Sequence, residues 1–156
     1  MRPINYIILH CSATEAGSNF DVTDIDRWHK QKGWAGVGYH YVITEKGILQ
    51  QGRPLETEGA HCLHHNADSI GICYIGGLRF GNPIDTRTPA QRAQVEIIVR
   101  QLLQRFPYAK VCGHRDLSPD LNGDGKITPN EWTKQCPCFD VAEWAQSVGI
   151  PRKNIA

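Results

Sequence analysis

Two cysteines separated by a single proline, Cys136 and Cys138, lie in the stretch TKQCPCFD of this 156-residue chain. The pair could form a disulfide, bind a metal, act as a nucleophile or simply pack. Two histidines, His10 in ILHCSA and His114 in CGHRD, each follow a short apolar run typical of a buried strand. Each histidine alone is more typical of a hydrogen-bonded core residue than of a functional site.

Taken together, these residues suggest a zinc site. Ligands in open α/β sheets gather at the carboxyl ends of strands, so His10 and His114 can meet there. Two imidazoles and one thiolate, with an open fourth position, form a known arrangement of catalytic zinc. Such an ion polarises a carbonyl and activates a water at neutral pH. Either Cys136 or Cys138 could supply the thiolate. The spacing alone does not prove the site, because the ligands are about a hundred residues apart and no local zinc-finger pattern exists.

The six cysteines are interpreted as thiols rather than as a disulfide framework. Disulfides persist in oxidising compartments, and the first apolar run, Ile7 to Leu9, is too short for the core of a signal peptide. The chain is therefore expected to be made in the cytoplasm without a signal peptide. Cys73 and Cys112 lie in apolar runs and are expected to be buried as small hydrophobic residues.

A second metal pattern lies in DLNGDGKITPNE, residues 120–131, which fits D-x-[DN]-x-[DN]-G-x5-E. An EF-hand loop of this kind supplies hard oxygen ligands to Ca²⁺. The preceding HRDLSP is not an obvious helix, so we expect an EF-hand-like loop insertion and not a complete EF-hand. The alternative is a polar double turn at Asn-Gly and Asp-Gly. The expected calcium ligands are Asp120, Asn122, Asp124, Lys126 and Glu131.

Alternating strands and helices must position these residues, and this order predicts an α/β fold. INYIILHCSA is predicted to be a buried strand that delivers His10 at its end. SIGICYIGG is predicted to be a second buried strand, and AKVCGHRD a short one that ends at His114. YHYVITEKGILQQGR is predicted to be a hairpin that turns at Lys46-Gly47.

Three helices are predicted. The first lies in TDIDRWHKQKGW with Thr23 as its N-cap, and the last in FDVAEWAQSVG. The second begins with a capping box formed by Thr88 and Gln91, with Pro89 at its first position. Its apolar stripe is expected to pack on the core and consists of Val95, Ile98, Val99, Leu102 and Phe106.

Composition predicts one globular domain over residues 1–156. We expect this domain to have a mixed central β-sheet flanked by α-helices. Hydrophobic residues make up 40% of the chain and charged residues 21%. The formal net charge is +1, which argues against nucleic acid or an anionic membrane as the main partner. No segment approaches the roughly 20 apolar residues of a membrane span. A monomer is expected.

Five motifs, in this order, resemble the zinc-dependent N-acetylmuramoyl-L-alanine amidases. They are ILHCSAT, DVTDIDRWHKQKGWAGVGYHYVI, HNADSIGICYIGG, GHRDLSPD and KQCPCFD. The chain is most similar to the short amidase-type phage lysozymes and more distantly similar to the peptidoglycan recognition proteins. The resemblance runs from about residue 5 to about residue 147.

The resemblance implies a zinc site formed by His10, His114 and Cys136. Cys136 matches the metal cysteine of the family's K-x-C-P-x-F-D pattern, and Cys138 occupies its variable position. Cys136 and Cys138 are expected to splay apart around Pro137, so one tetrahedral zinc would not readily accept both along with two histidines and a water. Cys138 is therefore expected to be a packed thiol.

The resemblance also implies roles for four residues outside the metal site. Tyr39 of the GYH motif and Lys134 match catalytic residues, which would stabilise the oxyanion or give a proton to the leaving amine. From the residues alone, Tyr39 would be read as a packed strand residue and Lys134 as a solvated charge. His61 and Asn66 are expected to contact the substrate at the edge of the cleft.

The implied function is hydrolysis of the amide between N-acetylmuramic acid and L-alanine in peptidoglycan. The enzyme would act on the cell wall after secretion or release by another route. The alternative is a non-catalytic peptidoglycan-binding module of the same fold, although the His, His and Cys-Pro pattern favours catalysis. A third class, a phage regulator that also contacts RNA polymerase, is left open by the sequence.

Overall fold

The computed structural model describes residues 1–156, and a five-stranded mixed sheet forms its centre. The strands are β1 (Tyr6–Cys11), β2 (Thr14–Glu15), β3 (Tyr41–Ile43), β4 (Leu49–Gln51), β5 (Ser69–Tyr74), β6 (Gly77–Arg79), β7 (Asn82–Pro83) and β8 (Lys110–Gly113). The central sheet has the order β4-β3-β5-β1-β8, in which only β4 is antiparallel to its neighbour. The α/β fold with a mixed central sheet is confirmed. Strands β2, β6 and β7 form a separate small sheet.

The three predicted helices are present as α1 (Val22–Gln31), α2 (Pro89–Arg105) and α3 (Val141–Ser147). The prediction of Thr23 as the N-cap of α1 was wrong. Asp21 is the N-cap: its side chain accepts from the N–H groups of Thr23 and Asp24, and Asp24 returns the bond to the backbone N–H of Asp21. A carboxylate that accepts two N–H groups satisfies more of the open helix end than one hydroxyl would.

The start of α2 follows the predicted capping box. The Thr88 side chain accepts from Gln91 N–H, and the Gln91 side chain accepts from Thr88 N–H. Its buried apolar residues are Val95, Ile98, Val99 and Leu102, with Phe106 packed partly against them. The predicted hairpin is also present, because β3 and β4 pair around Gly47, whose φ of 82° suits glycine at this turn.

Neighbouring residues of β1 face opposite sides of the sheet, and this alternation sets the direction of His10. Ile7 and Leu9 join the main core beneath α2 and α3. Ile8 lies on the other face, packed with Cys62 and Cys112. His10 has the parity of Ile8 and therefore points away from the main core. None of the helices is both long and apolar enough to cross a bilayer.

Candidate metal centre

The two candidate histidines meet at the carboxyl end of two paired strands. β1 and β8 are parallel, with Leu9 opposite Gly113, so His10 and His114 occupy the next register position. His114 follows β8 directly and begins a short 3₁₀ helix, His114–Leu117. The two imidazole ring centroids lie 4.7 Å apart. The sheet itself thus brings together residues that are far apart in the sequence.

Cys136 is fixed beside the histidines by two backbone hydrogen bonds. The N–H of Cys11 donates to Cys136 Sγ at 3.2 Å. The N–H of Arg115, next to His114, donates to the carbonyl of Cys136 at 3.0 Å. The backbones that carry His10 and His114 therefore both hold the cysteine that completes the group.

Close packing of the following proline also holds this segment. A Cβ atom on Gly113 would lie 2.8 Å from Pro137 Cδ, so glycine at the end of β8 permits the approach. The hydroxyl of Tyr74 donates to the carbonyl of Pro137 at 2.7 Å. The segment is a turn and not the extended chain expected from Cys-Pro-Cys: the Cys136–Pro137 peptide bond is cis, and Cys138 has φ 70°.

His10, His114 and Cys136 form a group whose donor atoms all lie within 4.8 Å of one another. His10 Nδ1 and Cys136 Sγ are 3.7 Å apart. Tetrahedral zinc with bonds of 2.0–2.3 Å separates nitrogen and sulfur donors by roughly 3.5 Å. The three side chains therefore fit Zn²⁺ and leave a fourth position open.

The electrostatics of this site favour neutral imidazoles. Burial, followed by the nearby His61 and His114, lowers the pKa of His10 well below its usual value. Burial, followed by the charge of Lys134, lowers the pKa of His114 to about 4. Both rings are therefore unprotonated at neutral pH and have a lone pair available for a metal.

Cys138 faces away from the metal group. Its sulfur lies 3.8 Å from Cys11 Sγ and 3.5 Å from the carbonyl oxygen of Gly77. The hydrogen bond with Cys11, together with burial, raises the pKa of the Cys138 thiol. Cys138 thus packs as a thiol before α3, which begins after its N-cap Asp140. All six cysteines are free.

The two predicted catalytic side chains border the metal group. The ring centroid of Tyr39 lies 5.1 Å from that of His10. Burial, followed by the neighbouring Cys73 and Cys136 thiols, raises the pKa of Tyr39 well above its usual value, so Tyr39 remains a neutral phenol. Lys134 is exposed, and its charge contributes to the low pKa values of both metal-site histidines. Its positive charge therefore acts on this site.

His61 and Asn66 are expected to contact the substrate, which stays a prediction, and the structure gives each of them a hydrogen-bonding role beside the metal group. His61 is only 9% exposed and lies behind His10, with His61 Nδ1 2.8 Å from His10 Nε2. The Asn66 side-chain oxygen accepts from the N–H groups of His61 and Cys62, so it fixes the loop that carries His61. Sequence reasoning missed this contact behind the site. A glycine inside a buried strand, Gly71, is the signal that could have revealed it.

The loop 120–131 is stabilised by hydrogen bonds between its carboxylates and its own backbone. The carboxylates of Asp120 and Glu131 accept backbone N–H bonds of 2.8 to 3.2 Å from Gly123, Gly125, Leu121, Asn122 and Thr128. The only group of three or more metal-binding side chains in the structure is His10, His114 and Cys136. Calcium binding by this loop stays a prediction.

Comparisons with known proteins agree with this geometry. The family model for N-acetylmuramoyl-L-alanine amidase, Amidase_2, matches residues 1–138. The endolysin of Klebsiella phage KP32 is 34% identical over 139 residues, which cover 88% of this chain and 83% of the endolysin. The endolysin of Escherichia phage T7 has the same identity and coverage. The solved structure of an N-acetylmuramoyl-L-alanine amidase from Clostridium intestinale superposes with a TM-score of 0.74 at 25% identity, covering 96% of this chain and 88% of that one.

Proposed function

Because this chain belongs to the N-acetylmuramoyl-L-alanine amidase family, we propose that it is a zinc-dependent hydrolase of peptidoglycan. The bond cleaved is the amide between the lactyl group of N-acetylmuramic acid and L-alanine. The observation that carries the zinc dependence is the convergence of His10, His114 and Cys136 at the carboxyl end of the central sheet. Two neutral imidazoles and a thiolate with an open fourth position are a ligand set of catalytic zinc.

The chain supplies the ligands and their orientation. Zinc held there would provide Lewis-acid activation of a water and of the amide carbonyl. The N–H group of Cys11 donates to Cys136 Sγ and so fixes the position of the sulfur as a metal ligand. His10 Nδ1 faces the same sulfur, so both donors are directed into one space.

Tyr39 and Lys134 supply the remaining polar groups of the reaction. Attack on the amide develops negative charge on its oxygen, and one well-placed donor stabilises that charge by roughly 3 to 4 kcal/mol. The Lys134 ammonium carries a full positive charge next to the site and suits this role. Tyr39 keeps its proton because of its raised pKa, so it can donate to the oxyanion or to the departing amine.

A binding module without catalysis is the competing function. Such a module would need a surface for muramyl peptides but no converging metal ligands. The convergence of the buried His10 with the half-buried His114 and Cys136, supported by backbone hydrogen bonds to the cysteine, favours hydrolysis. Peptidoglycan is then the partner, the chain acts as a monomer, and its place of action is the cell wall.

Metal removal tests the proposal. The protein should contain one zinc per chain by elemental analysis. Dialysis against a chelator should abolish the release of peptides with a free L-alanine amino group from purified peptidoglycan, and added Zn²⁺ should restore it. Sustained cleavage by protein without metal would rule out the zinc mechanism. Zinc content without any cleavage would favour the binding module.

A further inference from the structure

A chain of three buried polar side chains leads away from the proposed metal centre. His10 Nε2 lies 2.8 Å from His61 Nδ1, and His61 Nε2 lies 3.2 Å from Ser69 Oγ. His10 is 1% exposed, His61 is 9% exposed and Ser69 is fully buried. The contacts join the end of β1 to the loop before β5 and to the first residue of β5.

The proton positions along this chain follow from the metal site. His10 Nδ1 faces Cys136 Sγ, so Nδ1 is the nitrogen that must have a free lone pair. A neutral imidazole then carries its proton on Nε2, and His10 donates to His61 Nδ1. His61 in turn must be protonated on Nε2 and donates to Ser69 Oγ. The acceptor nitrogen His61 Nδ1 thus selects the tautomer of His10 that can bind the metal.

The backbone makes room for the His61 ring at two glycines. A Cβ atom on Gly71 would lie 2.6 Å from His61 Cγ and 2.8 Å from His61 Nδ1. A Cβ atom on Gly59 would lie 2.5 Å from His61 Cδ2. Real Cβ atoms do not approach so closely, and therefore any other residue at either position would displace the ring. Gly71 lies in the middle of the fully buried β5, where glycine has no advantage for the strand itself.

We propose that His61 is a positioning residue of the metal centre, which acts through His10 by fixing its tautomer and ring orientation, with Ser69 as the next hydrogen-bond partner. The inference rests on the zinc site of the proposed function. Hydrogen-bond partners of metal-binding histidines generally contribute about 10- to 100-fold to metal affinity.

Three variants and one control test this role by zinc affinity, measured by competition with a chromophoric chelator. His61→Leu fills the space but removes the acceptor, and it should weaken zinc binding by about 10- to 100-fold. His61→Asn places a side-chain oxygen near the position of Nδ1 and should recover most of that loss. Gly71→Ala leaves every polar group in place but displaces the ring, and it should resemble His61→Leu. His64→Asn, in the exposed part of the same loop, should bind zinc like the unmodified protein.

Folding and proton position are measured on the same samples. Circular dichroism and thermal melting identify any variant that loses its fold, and only folded variants enter the comparison. Nitrogen NMR of the zinc-loaded protein should show His10 and His61 both protonated on Nε2. Zinc affinity of folded His61→Leu within about twofold of the unmodified protein, or an Nδ1 proton on His61, would overturn the proposal. Absence of zinc binding by the unmodified protein would instead contradict the proposed function itself.

Discussion

The metal centre and the loop 120–131 both carry metal-binding residue patterns, but they are built in opposite ways. The ligands of the metal centre lie on β1, after β8 and before α3, and the central sheet brings them within 4.8 Å of one another. The loop has all its pattern residues in twelve consecutive positions, yet its carboxylates bind backbone N–H groups of the same loop.

The difference lies in what holds each donor. His10, His114 and Cys136 have their backbones fixed by strand pairing or by hydrogen bonds between distant segments, and this fixes the convergence of their side chains. In the loop, an Asp or Glu that caps a turn satisfies its hydrogen-bonding needs locally. A sequence pattern for calcium is therefore also a pattern for a stable turn, whereas the convergence at the metal centre has no such local explanation.

The largest expected effect separates the two neighbouring cysteines. Cys136→Ser removes the thiolate donor, so zinc binding should largely disappear and hydrolysis should be lost. Cys138→Ser changes a thiol that faces Cys11 and Gly77, so it should keep zinc and activity with at most a modest loss of stability. Zinc content and peptide release are measured on both variants. The reverse result would show that Cys138, and not Cys136, is the metal ligand.

The next effect separates metal binding from catalysis. Lys134→Ala and Tyr39→Phe each remove a donor to developing charge, so each should lower kcat/KM by about 10²- to 10³-fold. Neither side chain belongs to the donor group, so zinc content should stay at one per chain. Loss of zinc in either variant would show that the residue supports coordination.

Acid should destabilise the histidine-rich side of the molecule before it affects the loop. His40 is fully buried and has a pKa of about 4, mainly because of burial, and its Nδ1 accepts from Gly71 N–H. The unfolded chain binds this proton near pH 6.5, so stability is lost as pH falls from about 6.5 towards 4. At pH 5 the loss from His40 alone is about 2 kcal/mol.

Thermal melting in the presence of a chelator measures this effect without metal. The Tm at pH 5 should be lower than at pH 7 by roughly 4 to 8 °C. His64→Asn, which changes an exposed histidine, should show the same dependence on pH. A Tm that stays constant between pH 7 and pH 5 would contradict the neutral state assigned to His40.

The smallest effect tests whether the loop 120–131 binds a metal ion, as the metal centre is proposed to do. Modules that bind calcium weakly have Kd values of 10⁻⁴–10⁻³ M, so 1 mM Ca²⁺ should stabilise the fold by about 0.4 to 1.4 kcal/mol. The rise in Tm should disappear in Asp120→Ala. Identical melting curves in chelator and in millimolar Ca²⁺ would leave the loop as a polar turn.

The parts of the fold that sequence predicts are those set by local periodicity. The capping box at Thr88 and the buried strands at residues 6–11 and 69–74 come from patterns within a few residues of one another. The N-cap of α1 was missed because Asp21 and Thr23 both suit that position, and only the backbone geometry decides between them. The contact of His61 with His10 was missed because no local pattern shows that the loop of His61 folds over Gly71.

The positions of His10 and Cys136 also have a consequence for protein synthesis. Synthesis proceeds from His10 towards Cys136, and 125 residues of strands, helices and loops separate the two. A nascent chain that ends before Cys136 does not contain the complete donor group. A translation product of that kind should therefore bind no zinc at the proposed centre and show no hydrolytic activity.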